Sequence, residues 1–168
     1  MLISHVALVS TLLSQGLPAP RRVIEGERLI ESGRATGGSL LEQDMTDFGP
    51  DWGDHAQLYW PVHEVGAQLV LRPEVTRPGR YDVYVDFTQA PDYGRVSVRF
   101  DKGRARTFDG YAPTVRPFRF RLGTVDLTAG RHELTITVIG TNKTSGDYSV
   151  GVDRIELVPV HARAPRSL

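Results

Sequence analysis

The sequence predicts an all-β chain, an antiparallel sandwich or a barrel, on three observations. Apolar and polar residues alternate with period two through the middle and the C-terminal part, as in strands with one buried face. Turn-forming residues break these runs at intervals of about ten residues, the spacing of short strands in a sandwich or barrel. No window shows a sustained helical period.

The elements follow in order. Residues 1–16 read as an export signal, with the apolar run Val6 to Leu13 and the small-residue stretch Ser14-Gln15-Gly16. A run of eight residues is too short to span a bilayer. Residues 17–22, with two prolines and two arginines, read as a linker. One domain is expected over 23–160, and 161–168 as a flexible tail. A first strand is expected around Val23 to Glu27. Segment 28–48, rich in glycine and of mixed polarity, reads as loop with a short strand or a helical turn. In Gln57-Leu58-Tyr59-Trp60, alternation sends Leu58 and Trp60 to the core. Tyr81, Val83, Val85 and Phe87 form the next inward set, then Val96, Val98 and Phe100, then Phe118, Phe120 and Leu122. Leu134, Ile136 and Val138 follow, and Ile155 and Leu157 close the series. Arg77-Pro78-Gly79-Arg80, Asp101-Lys102-Gly103 and Thr128-Ala129-Gly130-Arg131 are turns, the second a tight hairpin connection with Gly103 free to take positive φ.

Composition narrows the function. The 168-residue chain has no cysteine, which excludes disulfides, zinc–thiolate centres and thiol nucleophiles. Its formal net charge is zero, which argues against broad electrostatic binding of nucleic acid or acidic membranes. The basic cluster Arg95, Arg99, Lys102, Arg104 and Arg106 reads as a solvated strand face. No serine sits in a Gly-x-Ser-x-Gly elbow. Asp51, Asp54, Glu64, Asp92 and Asp109 could supply a glycosidase pair, but twenty acidic residues make chance pairs inevitable. The chain therefore reads as non-catalytic.

Two constellations carry chemistry. Glu25 and Glu27, two apart on a first strand, share a face; Asp153 lies on the last strand. If those strands are neighbours, three carboxylates converge and call for a cation, calcium by its preference for oxygen. Otherwise they are alternating positions facing water. The second is a set of polar loops bearing Trp52, Asp92, Tyr93, Tyr111 and Asn142. Aromatic platforms with a few placed polar groups suit a sugar. The competing reading is that Trp52 and Tyr93 cap the core. Asn142-Lys143-Thr144 also matches a glycosylation acceptor, a pattern common by chance.

Val23-Ile24-Glu25-Gly26-Glu27 resembles the opening strand of carbohydrate-binding modules of families 6 and 35, and Gly151-Val152-Asp153-Arg154-Ile155-Glu156-Leu157 their closing strand. Pro78-Gly79-Arg80-Tyr81 is similar to their Gly-x-Tyr lead into a central strand. Ala90-Pro91-Asp92-Tyr93-Gly94, Leu127-Thr128-Ala129-Gly130-Arg131-His132 and Val138-Ile139-Gly140-Thr141-Asn142 resemble the galactose-binding-like module attached to glycoside hydrolase family 172 proteins. The resemblance implies a jelly-roll, galactose-binding-domain-like sandwich without catalytic activity. It implies a structural calcium on Glu25, Glu27 and Asp153, and a sugar site in end loops with Trp52, Tyr93, Tyr111 and Asn142 as candidates. The expected partner is a glycan or oligosaccharide and the expected location secreted or periplasmic. The alternative is a structural domain that binds a protein partner or a second copy.

Overall fold

A computed structural model describes residues 20–160. The export signal at 1–16, the start of the linker and the tail at 161–168 lie outside the described residues. Along the described chain run β1 (Arg22–Glu25), β2 (Arg34–Ala35), β3 (Leu41–Asp44), β4 (Ala56–Trp60), β5 (Gln68–Leu71) and β6 (Glu74–Val75). Then come β7 (Gly79–Gln89), β8 (Arg95–Phe100), β9 (Arg106–Asp109), β10 (Arg116–Leu127), β11 (Gly130–Arg131), β12 (Leu134–Gly140) and β13 (Val150–Pro159). The larger sheet has the order β10-β7-β13-β4-β3, with β1 beside β13; the facing sheet has the order β2-β5-β12-β8-β9. Pairing within both sheets is antiparallel. The chain is a β-sandwich, as its alternation predicts.

The inward sets meet between the sheets, except in β10, where Phe118 is exposed and Leu122 only half-buried beside the register shift between Arg121 and Gly123. Leu58, Trp60, Val83, Val85, Phe87, Val98, Leu134, Ile136, Ile155 and Leu157 are fully buried between the sheets. Phe87 stacks on Phe108 at 4.4 Å between centroids, and Phe120 meets Phe87 edge-on at 6.1 Å. Trp60 is core, as alternation assigns it.

The first and last strands are neighbours, with Glu25 opposite Arg154. Two local departures shape what lies at their ends. Strand β1 stops at Glu25, so Glu27 does not share a strand face with it; it opens a 3-10 turn instead. Gly26 makes that possible. Its N–H donates to Asp153 O at 2.7 Å, and a Cβ there would collide with Val152 O. In β13 the pairing with β7 slips between Val152 and Arg154. Asp153 is the extra residue of a bulge, which lets Val152 and Ile155 both point inward.

Segment 28–48 holds more than the sequence suggests: two short strands, β2 and β3, and two 3-10 turns. In the β8–β9 hairpin the positive φ falls on Asp101 (48°) and not on Gly103. Gly103 is favoured there by crowding, since a Cβ would sit 2.9 Å from Phe100 O. Arg95, Arg99, Lys102, Arg104 and Arg106 are exposed, as expected of a solvated face.

Candidate functional site

The outer face of the larger sheet, near the loops that follow β7 and precede β10, carries a cavity of about 170 Å³. Strand β4 supplies its floor. Leu58 and Trp60 point to the core, so Gln57 and Tyr59 point outward. Gln43 on β3 lies opposite Gln57 in register. Met45 and Phe48 close one side; Ala90, Asp92, Tyr93 and Val115 close the other.

A buried chain of hydrogen bonds holds this floor. Trp52 Nε1 donates to Thr88 Oγ1 at 2.8 Å, and the Thr88 hydroxyl donates to Gln57 Oε1 at 2.5 Å. Gln57 Nε2 donates to Gln43 Oε1 at 2.7 Å and to Tyr93 Oη at 3.1 Å. Gly151, which pairs with Tyr59 on one side and Thr88 on the other, must lack a side chain, because a Cβ would collide with Gln57 Oε1 and approach Tyr93 Oη to 2.9 Å. Burial pushes the Tyr93 phenol well above its ordinary range, against the Gln57 hydrogen bond, which favours ionisation. Tyr93 therefore stays a neutral hydroxyl.

The five ligand residues expected from sequence divide. Asp92 and Tyr93 line the cavity. Trp52 does not present a ring to solvent: it is 4% exposed and supports the floor from behind. Tyr93, 5% exposed, likewise offers an edge and a hydroxyl and not an open face. Both rings are buried on the outer face, within the hydrogen-bond chain, and neither belongs to the core between the sheets. Tyr111 and Asn142 brace the neighbouring loops. Asp109 accepts from Tyr111 N at 3.1 Å and from Asn142 Nδ2 at 3.1 Å, while Asn142 Oδ1 accepts from the Thr144 N–H and hydroxyl.

Sequence reasoning missed Gln43, Phe48, Gln57 and Tyr59. Phe48 is the open ring, 46% exposed, held edge-on by Trp52 at 6.4 Å. Its signal was legible: an aromatic in a polar stretch, followed at once by Gly49-Pro50. The glutamines carried none, because outward polar positions on β3 and β4 look like solvated ones.

The second constellation lies where β1, the bulge of β13 and the 51–55 loop meet. Asp153 Oδ1 accepts from Gly53 N–H at 2.8 Å, and Oδ2 pairs with Arg154 at 2.8 Å. Asp54 pairs with Arg28 at 2.5 Å. Glu25 Oε2 and Glu27 Oε2 are buried with no hydrogen-bond partner. Burial raises the Glu25 carboxyl, with Asp153 and Asp54 adding to it and Arg154 and Arg28 opposing. Burial also raises Glu27, helped by Glu25 and Asp54 and opposed by a hydrogen bond from its own backbone. Asp153 is raised by burial against Gly53 and Arg154. Among the described residues no three acidic or histidine side chains meet as a ready cation cage. The expected three-carboxylate convergence is thus incomplete, because Arg154 holds one oxygen of Asp153 and Gly53 the other. The two orphaned glutamate oxygens nevertheless fit a hard cation, which prefers oxygen donors.

No protein-family model matches the chain, and no curated protein matches it. Solved structures do. A Paenibacillus xanthan lyase superposes with a TM-score of 0.71 at 21% identity, covering 86% of this chain and 14% of the lyase. A family 35 carbohydrate-binding module from Clostridium thermocellum gives 0.51 at 20% identity, covering 82% of this chain and 98% of the module. The CBM36-1 domain of a multidomain xylanase from the hindgut metagenome of Trinervitermes trinervoides gives 0.50 at 12% identity, covering 85% and 100%. The chain has the β-sandwich fold of carbohydrate-binding modules. It spans a seventh of the lyase and nearly the whole length of the two modules, which are binding domains by name. Among the described residues no helix is long and apolar enough to cross a membrane.

Proposed function

We propose that this chain is a non-catalytic carbohydrate-binding domain that holds a sugar in the cavity between β3, β4 and the 90–94 loop. The observation that carries the reading is the cavity's make-up: an open Phe48 ring and the Tyr59 ring beside the Gln43 amide and the Asp92 carboxylate. An aromatic wall takes the apolar face of a pyranose, and an amide with a carboxylate takes its hydroxyls. The family 35 and 36 neighbours support the reading through their fold. A secreted or periplasmic location accords with it.

A glycan array probed with the full chain tests it. Binding to a defined sugar class is expected. Phe48→Ala and Gln43→Ala should each weaken it by about tenfold, while Asn142→Ala should change it less than about threefold. An array blank for a folded protein would move the weight to a protein partner or a second copy.

Calcium is the second part of the proposal. Glu25 and Glu27 would hold it, with Asp153 joining if Arg154 releases its oxygen. Bound there, the ion would neutralise buried carboxylates and tie β1 to the β13 bulge and the 51–55 loop. Millimolar calcium should raise the thermal midpoint by several degrees over a chelator control, a gain that follows from binding to the folded state alone. Glu27→Gln should remove most of that response. An identical midpoint in calcium and in chelator would sink this part.

A further inference from the structure

We propose that the cavity selects its sugar by charge, admitting a neutral or amino-bearing sugar terminus and rejecting one that carries a carboxylate. The inference rests on the sugar-binding reading above and deepens it.

Size sets the first limit. The cavity's roughly 170 Å³ falls below the ~300–1,000 Å³ of pockets for drug-sized ligands. It suits one sugar residue, not several buried in a row.

The hydrogen-bond chain sets the second. An indole N–H only donates. Thr88, having accepted from Trp52, passes its own proton to Gln57 Oε1. Gln57 then has its oxygen occupied and spends its amide hydrogens on Tyr93 Oη and Gln43 Oε1. It has nothing left for a ligand. Gln43 is thereby turned so that its carbonyl faces inward and its NH₂ is left for the cavity. Among the described residues neither this NH₂ nor the Asp92 carboxylate has a protein hydrogen-bond partner. The site therefore offers the Gln43 amide and the Tyr93 hydroxyl as donors and the Asp92 carboxylate as acceptor, a match for the hydroxyls of one ring.

Charge sets the third. Asp92 is the only ionisable carboxylate among the lining residues, and no lysine, arginine or histidine lines the cavity. A uronate would bring a second negative charge to Asp92 with no cation to offset it. An ammonium would meet an unpaired carboxylate. Arg116, next in sequence to the lining residue Val115, is turned to Gln89 Oε1 at 3.0 Å.

The test titrates the full-length protein calorimetrically with galactose, galactosamine and galacturonate, and with the corresponding glucose and mannose series. In whichever series binds, the acid is expected to be at least about tenfold weaker than the neutral sugar, and the amine equal or tighter. Asp92→Asn should shrink the acid-to-neutral gap to within about threefold. Its thermal unfolding should match wild type, since Asp92 is exposed and makes no hydrogen bond that folding needs. A uronate that binds wild type as tightly as the neutral sugar would overturn charge selection and leave sugar binding standing. So would a gap that persists unchanged in Asp92→Asn. No binding in any series would overturn the sugar reading and charge selection together.

Discussion

Replacing Phe87 with alanine is expected to cost about 3–5 kcal/mol of stability, the range for truncating a buried phenylalanine. In a domain of this size the thermal midpoint should fall by on the order of 10 °C. Phe87 is fully buried near the C-terminal end of β7, the strand between β10 and β13 in the larger sheet. Its ring stacks on Phe108, which belongs to β9 at the edge of the facing sheet, and Phe120 from β10 closes on it edge-first. It therefore clips three strands from two sheets. Truncation removes transfer free energy and leaves a cavity under a rigid sheet that cannot collapse to fill it. Phe118 provides the comparison. It touches the same cluster through Phe108 at 5.5 Å but is 40% exposed, so Phe118→Ala should cost about 1 kcal/mol or less. Urea unfolding of both variants checks the contrast. If the two cost the same, the core does not centre on Phe87.

The residues that matter to this core were legible because a half-buried strand writes its burial with period two, and Val83, Val85 and Phe87 follow that rule without interruption. Legibility ended wherever the backbone left the period. The Asp153 bulge inserts one residue into β13, so counting alone could not say which way its carboxylate points. Gly26 bends the chain off β1, so Glu27 reached the acidic cluster by a turn and not along a strand. Segment 28–48 has strands of two and four residues, too short to show alternation. For the candidate site the difficulty was different. Aromatic loop residues were the natural choice for sugar contacts, yet an indole that reaches a buried threonine satisfies its N–H by folding inward. Trp52 thus positions the site from behind, and the exposed ring beside it is Phe48. Nothing in a single sequence distinguishes an outward glutamine that floors a cavity from one that faces water, because the distinction depends on the 90–94 loop folding over β4.

Stability should fall as pH rises, and in two separable steps. The upper step belongs to His132. Its Nδ1 lies 2.6 Å from Asp101 Oδ2 and its Nε2 2.9 Å from Thr128 O, with the ring stacked on Phe100 at 5.9 Å. Both partners only accept, and a neutral imidazole has one N–H, so the full clasp requires the imidazolium. Burial works against that charge, but the hydrogen bonds to Thr128 and Asp101 and the Asp101 charge outweigh it, and the pKa is raised. Arg99, Lys102, Asp126 and Glu133 line the same concave end, two of each sign, so the surrounding field is close to balanced. A raised histidine contributes stability that is fully present below its unfolded value of about 6.5 and is lost as pH climbs through the folded value.

The lower step belongs to the buried carboxyls, Glu25 and Glu27 together with Asp153 and Asp86. Their folded pKa values are raised above the unfolded ones, so the folded state holds protons that the unfolded state has released. Their ionisation therefore penalises the fold from about pH 4 upward, through the folded values. A cation at the two orphaned oxygens would favour the ionised form of Glu25 and Glu27 and shrink this step without touching His132. Urea midpoints measured across pH, with calcium and with chelator, separate the two. Calcium should shrink the lower step and leave the upper one. His132→Phe keeps the stacking on Phe100 but leaves Asp101 Oδ2 and Thr128 O without their donor. It should cost about 2 kcal/mol at mildly acidic pH and abolish the upper step. If His132→Phe retains the full decline above neutral pH, the imidazolium clasp is not its source, and the two ends of the sandwich would have to be coupled.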